Sequence, residues 1–138
     1  MTSREKPIEV TVGLRSIDGT GACAGWAGPH SITVDRPAGK AGGEGRGFNG
    51  GQLLALAIGG CFCNDLHYVA HDMGVILTKI AVDVTLTLEG SPLIATGATM
   101  RVEIETDGRA DTQAIIARAT EISTVANSLA RGLKVAIG

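Results

Sequence analysis

Apolar and polar residues alternate near the start of the chain: Ile8, Val10, Val12 and Leu14 are separated by Glu9, Thr11 and Gly13. A period of two predicts a strand with one buried face. The stretch Ile17–Gly25 is rich in turn residues, and Ser31–Asp35 beyond Gly28-Pro29 reads as another short strand, so a hairpin or meander is expected here. Pro37–Gly47 holds five glycines, Lys40 and Arg46 with almost no apolar content, which predicts an exposed, mobile loop.

The pattern then changes to that of a helix. Leu53 through Met73 reads as one long, largely buried helix, closed by Gly74 as a left-handed terminator. Asn49 and Gln52 have the spacing of a capping box, and Phe48 and Leu53 that of a hydrophobic staple. At 1.5 Å per residue the helix would be about 35 Å long, so it either runs through the middle of the domain or breaks at Gly59-Gly60. Each glycine inside a helix costs about 1 kcal/mol against alanine, so this adjacent pair predicts a tightly packed neighbouring helix, or space beside Cys61 for another molecule, or both.

Beyond the helix, Ile80, Val82, Val84, Leu86 and Leu88 alternate with polar or small residues. Met100, Val102 and Ile104 do the same after a turn around Glu89–Pro92, and the two segments are expected to pair as antiparallel strands. Ile115, Ile116, Ala119, Ile122, Val125, Ala126 and Leu129 recur at three and four, which predicts a single amphipathic helix from Asp111, ended by Gly132. Leu133, Val135 and Ile137 then predict a closing strand. This order implies an α+β fold with antiparallel sheets packed on a long central helix and a second helix.

Composition narrows the class. At 138 residues with 44% apolar content, residues 1–138 suit a single domain with a real core. The net charge of −2, the absence of a Lys/Arg cluster and the scarcity of aromatic residues give no footprint for a nucleic-acid partner. Three cysteines make no disulfide framework, and the start of the chain lacks an apolar signal core, so a cytoplasmic location is expected. The longest apolar run, Leu53–Ile58, is far short of the roughly 20 residues a membrane span requires, and no membrane partner is expected.

Cys61, deep in the long helix, is the candidate for chemistry; its bland reading is a buried hydrophobe. Cys63 points about 200° away around the helix and reads as core, unable to bond to Cys61. Cys63, His67 and His71 share a face, but their span of about 12 Å is too long for one ion, so no metal and no cofactor is expected. Asp65, one turn after Cys61, reads as a surface or interface carboxylate, and Cys23 as a cysteine of the turn region.

The run Gly47-Phe48-Asn49-Gly50-Gly51-Gln52-Leu53-Leu54-Ala55-Leu56-Ala57-Ile58-Gly59-Gly60-Cys61, followed by Gly74–Val84 and Val125–Val135, resembles the OsmC/Ohr family over roughly residues 45–138. The resemblance implies an intertwined homodimer with active sites at the subunit interface. It also implies reduction of hydroperoxides by a first-helix cysteine, which becomes a sulfenic acid and condenses with a second cysteine. Cys61 takes the place of the attacking thiol. Ser123 stands where the second cysteine is expected, Gly51 where the family has a carboxylate, and no arginine occurs between Arg15 and Arg36.

The reading that follows is a thiol-dependent hydroperoxide reductase using Cys61, with an external thiol reductant in place of the missing second cysteine. Arg15, Arg46 or His67 from the second subunit would supply the cation. The alternative is a non-catalytic dimer that binds a small hydrophobic ligand in its interface cavity.

Overall fold

The computed structural model describes residues 5–138. The chain divides into two compact units, one ending at Gln52 and the other spanning Leu53–Gly138.

In the first unit, β1 (Gly13–Ser16), β2 (Cys23–Ala27) and β3 (His30–Val34) form an antiparallel meander in the order β1-β2-β3. The meander was expected, but β2 lies where the sequence reads as turns. Gly25 faces Leu14 and Ile32 across the two pairings. The predicted Ile8–Leu14 strand forms only at its end. Ile8, Val10 and Val12 precede β1 without a pairing partner and stay 90%, 87% and 58% exposed. The period of two is there, but among the described residues no strand pairs with it.

The glycine-rich loop after β3 is tied down rather than loose. Asp35 is buried, and its carboxylate accepts the backbone N–H groups of Arg36, Glu44 and Arg46 at 2.8, 3.1 and 3.0 Å. Backbone bonds from Asp35 to Phe48 and from Phe48 to Thr33 close the loop at its base. The loop can follow this path because Gly39, Gly42 and Gly45 adopt positive φ.

Helix α1 (Gly50–Asp72) begins with the expected capping box: Gln52 N–H donates to Asn49 Oδ1, and Asn49 N–H donates to Gln52 Oε1. It ends at Gly74, φ +66°, whose N–H donates to the His71 carbonyl while Val75 N–H reaches Ala70. The helix is continuous through Gly59-Gly60. It is not buried all round: Ile58, Gly59, Phe62, Asp65, Leu66, Val69 and Ala70 form the buried stripe, whereas Leu56 and Tyr68 are exposed.

In the second unit, β4 (Leu77–Glu89) and β5 (Ile94–Thr106) form a two-stranded antiparallel ribbon. Its register places Ile80 opposite Ile104, Val82 opposite Val102 and Val84 opposite Met100, so one face is apolar. The stripe of α1 and the Ile115 and Ala119 face of α2 (Thr112–Ile122) pack with that face into one core. Full burial of side chains such as Phe62, Leu66, Val69 and Ile115 contributes about 1.5–3 kcal/mol each. At Gly59 the approach to the ribbon is tight, since an added Cβ would lie 2.8 Å from Val84 Cγ2; at Gly60 it would meet nothing within 4 Å. The close neighbour is thus a strand and not the helix that the glycine pair predicts, and the open side belongs to Gly60.

Two predicted elements differ. The single helix from Asp111 is two, α2 and α3 (Thr124–Arg131), because Ser123 is extended at φ −64°, ψ 112°. Asp111 caps α2 through Ala114 N–H, and Gly132 ends α3 with its N–H on the Leu129 carbonyl. The closing strand is absent: Leu133, Val135 and Ile137 are 70%, 82% and 101% exposed and unpaired.

The Arg46 N–H, aided by those of Glu44 and Arg36 and by the Arg36 guanidinium, holds the Asp35 carboxyl below its ordinary value of 3.8 against the opposing effect of desolvation. A lowered folded-state value means that the anchoring is complete above pH 3.8 and is lost as pH falls through the lower folded value. Hydrogen exchange should show the Glu44 and Arg46 amides protected at neutral pH and released in that acid range. Asp35→Asn should release them at neutral pH as well.

Candidate functional site

Cys61 and Asp65 are four residues apart on α1, so their side chains stack on one face. The Cys61 Sγ–H points to Asp65 Oδ2 at 3.7 Å, and the Ser123 hydroxyl points to Cys61 Sγ at 3.9 Å. Both are long, as contacts of sulfur are, and thiols are weak donors and acceptors. The three groups form a chain, from Ser123 hydroxyl to Cys61 sulfur to Asp65 carboxylate.

The neighbours are more buried than the thiol. Asp65 is 5% and Ser123 1% exposed, whereas Cys61 is partly exposed. The surface role expected for Asp65 is thus overturned. Its position on the stripe Ile58–Phe62–Asp65–Leu66–Val69 was readable in the sequence, because a residue three after Phe62 and four before Val69 must share their face. Among the described residues, the one hydrogen-bond partner of its carboxylate is the thiol, and no Lys, Arg or His nitrogen lies within 4.0 Å of it.

Ser123 owes its place to the break between α2 and α3. It is the N-cap of α3, yet its side chain makes no cap hydrogen bond, although a serine there is ordinarily worth about 1 kcal/mol to a helix. The hydroxyl is turned to the sulfur instead. Its carbonyl accepts Asn127 N–H, and Asn127 Nδ2 donates to the Glu121 carbonyl, which stitches the two helices across the break. The helical periodicity runs through Ser123 without interruption, so the sequence pattern carried no sign of this turn.

Within the second unit, Cys63, His67 and His71 make no hydrogen bond to these three groups. Cys63 is partly buried, and burial pushes its thiol above the ordinary value. His67 and His71 are exposed and line an open hollow of about 470 Å³ with Tyr68, Val75, Ile76 and Leu77. Among the described residues no group of three or more His, Cys, Asp or Glu is arranged to hold a metal. Gly51 is in the first turn of α1, and Cys23 is the first residue of β2, not a turn residue. Arg15 has its guanidinium 5.2 Å from the centre of the Trp26 ring, and Arg46 pairs with Glu44 at 2.7 Å.

The sequence matches the family of OsmC-like proteins over residues 42–138. The fold is similar to that of an OsmC-like protein from Mycoplasma pneumoniae, with a TM-score of 0.74 at 16% identity, covering 91% of this chain and 89% of that one. It is also similar to an OsmC-like protein from Vibrio cholerae, at 0.73 and 11% identity, covering 88% and 93%. An organic hydroperoxide resistance protein, OsmC, from Legionella pneumophila superposes with a TM-score of 0.62 at 19% identity, covering 89% and 90%. None of the curated proteins compared with the sequence matches it.

The 3.9 Å approach of Ser123 to Cys61 has a direct geometric consequence. In Ser123→Cys, a second sulfur would stand within a small side-chain rotation of the first, where a bond of about 2.05 Å can close. Mild oxidation should convert most of this variant to a form with an intrachain disulfide between Cys61 and the introduced thiol, seen as a loss of two thiols on titration and of two mass units in the intact protein.

Proposed function

This chain belongs to the OsmC-like protein family, and from that premise we propose that it is a thiol-dependent hydroperoxide reductase in which Cys61 is the attacking thiol. The observation that carries the reading is the sulfur of Cys61, partly exposed on the first long helix and contacted by Ser123. In this reading Ser123 occupies the place of the family's second cysteine. The Legionella relative, an organic hydroperoxide resistance protein, supports the choice of substrate class.

The thiolate of Cys61 attacks the terminal oxygen of the hydroperoxide. The O–O bond breaks, its electron pair leaves on the alkoxide, and a proton completes the alcohol. Sulfur, oxidised by two electrons, is left as a sulfenic acid. Serine cannot condense with it, so an external thiol attacks the sulfenic sulfur and water departs. A second external thiol then exchanges into the mixed disulfide, releasing the reductant's own disulfide and the Cys61 thiol.

Ionised sulfur would face Asp65 at 3.7 Å, so the cycle requires a positive group that offsets this charge. Arg15, Arg46 and His67 of a second subunit are the candidates. We assign a homodimer of one OsmC-like domain per chain on the strength of the two unpaired alternating segments, Ile8–Val12 and Leu133–Ile137, whose apolar side chains stay in water in the single chain. Light scattering should give about twice the chain mass of 14.1 kDa.

The second reading, a non-catalytic dimer that binds a small hydrophobic ligand, is favoured by one observation: a buried carboxylate, and not a cation, is what touches the thiol. Activity separates the two. With cumene hydroperoxide and either dithiothreitol or a dihydrolipoyl donor, wild type should turn over and Cys61→Ser should fall to the uncatalysed rate. A wild-type rate equal to that of buffer selects the ligand-binding reading.

A further inference from the structure

Ser123 and Asp65 both contact one sulfur atom, and neither has its ordinary partner. The serine forgoes the cap of α3, although the cap position is its own. The carboxylate is 95% buried and meets only the thiol among the described residues. For a reduced thiol this is a poor arrangement, since both contacts are long and sulfur bonds weakly. For an oxidised one it is well suited. A sulfenic hydroxyl has an oxygen that accepts from a serine O–H and a proton that a carboxylate accepts, and hydrogen bonds between oxygens are both shorter and stronger than those of sulfur.

We propose that Ser123 and Asp65 are positioning residues that hold the sulfenic acid of Cys61, the serine hydroxyl donating to its oxygen and the Asp65 carboxylate accepting its proton. The inference rests on the peroxidase reading and deepens it. Where a second cysteine would consume the sulfenic acid at once, this pair retains it until a thiol reductant arrives. Holding the sulfenic group also disfavours a second oxidation, in which another hydroperoxide molecule transfers oxygen to the same sulfur and leaves as alcohol, giving sulfinic acid.

The test measures the life of the sulfenic acid separately from turnover. Full-length protein is oxidised with excess hydrogen peroxide long enough to modify Cys61 even without turnover, then freed of peroxide. Dimedone is added after increasing delays, and the adduct is located on Cys61, apart from Cys63, by fragment mass spectrometry. Loss of one such hydrogen bond corresponds to roughly 2- to 12-fold in an equilibrium constant, so Ser123→Ala and Asp65→Asn should each shorten the lifetime about fivefold and raise the share of sulfinic acid. Ser123→Thr, which keeps the hydroxyl, should restore the lifetime.

Lifetimes within twofold of wild type in both Ser123→Ala and Asp65→Asn overturn the proposal. Failure of threonine to restore what alanine removes overturns the role of the hydroxyl. A long-lived adduct in wild type together with no turnover of cumene hydroperoxide would leave the holding pair in place and sink the peroxidase reading alone. No adduct on wild-type Cys61 under any of these conditions would sink both.

Discussion

Close packing of α1 on the β4–β5 ribbon is the constraint from which the rest of the second unit follows. Val82 and Val84 are stiff, β-branched side chains on a strand whose partners Val102 and Met100 fix their register. Phe62, Leu66 and Val69 of the helix pack with this face of the ribbon, and at Gly59 the approach to Val84 leaves no room for a Cβ. Once Gly59 faces the ribbon, the 3.6-residue period turns Phe62, Leu66 and Val69 into the core and brings Asp65 along with them. Cys61 is left at the edge of the stripe, partly exposed, one turn before the carboxylate.

The same packing explains why the second helical segment is broken. Ile115 and Ala119 complete the core against α1 and the ribbon, and the chain then needs a change of direction that a continuous helix does not allow. The extended residue at the change is Ser123, which becomes fully buried and meets the sulfur. A polar group so buried requires a partner. It finds Cys61 instead of the backbone of α3.

Charge sets the terms for chemistry at this site. The chain belongs to the OsmC-like family, and within its own subunit a carboxylate faces the Cys61 thiol from 3.7 Å. In the proposed cycle, negative charge on the sulfur would face that carboxylate at close range. The apolar segments at Ile8–Val12 and Leu133–Ile137 are a second open feature, since their alternation finds no pairing strand among the described residues.

Local chemistry by itself determined much of the chain. The capping box at Asn49 and Gln52, the left-handed Gly74 and the alternation along β4 and β5 depend on near neighbours and on periodicity, and each stands where the residues placed it. Kinship to the OsmC-like family was legible in the residues as well. Tertiary structure alone decided which of two adjacent glycines was the close contact, that α2 ends at Ser123, and that Asp65 is buried beside the thiol. Each of these depends on what a second element does at a distance in sequence: a strand 25 residues beyond Gly59, a helix break 62 residues beyond Cys61. Periodicity says which residues share a face, but what that face meets is set only when the ribbon and α2 close over it.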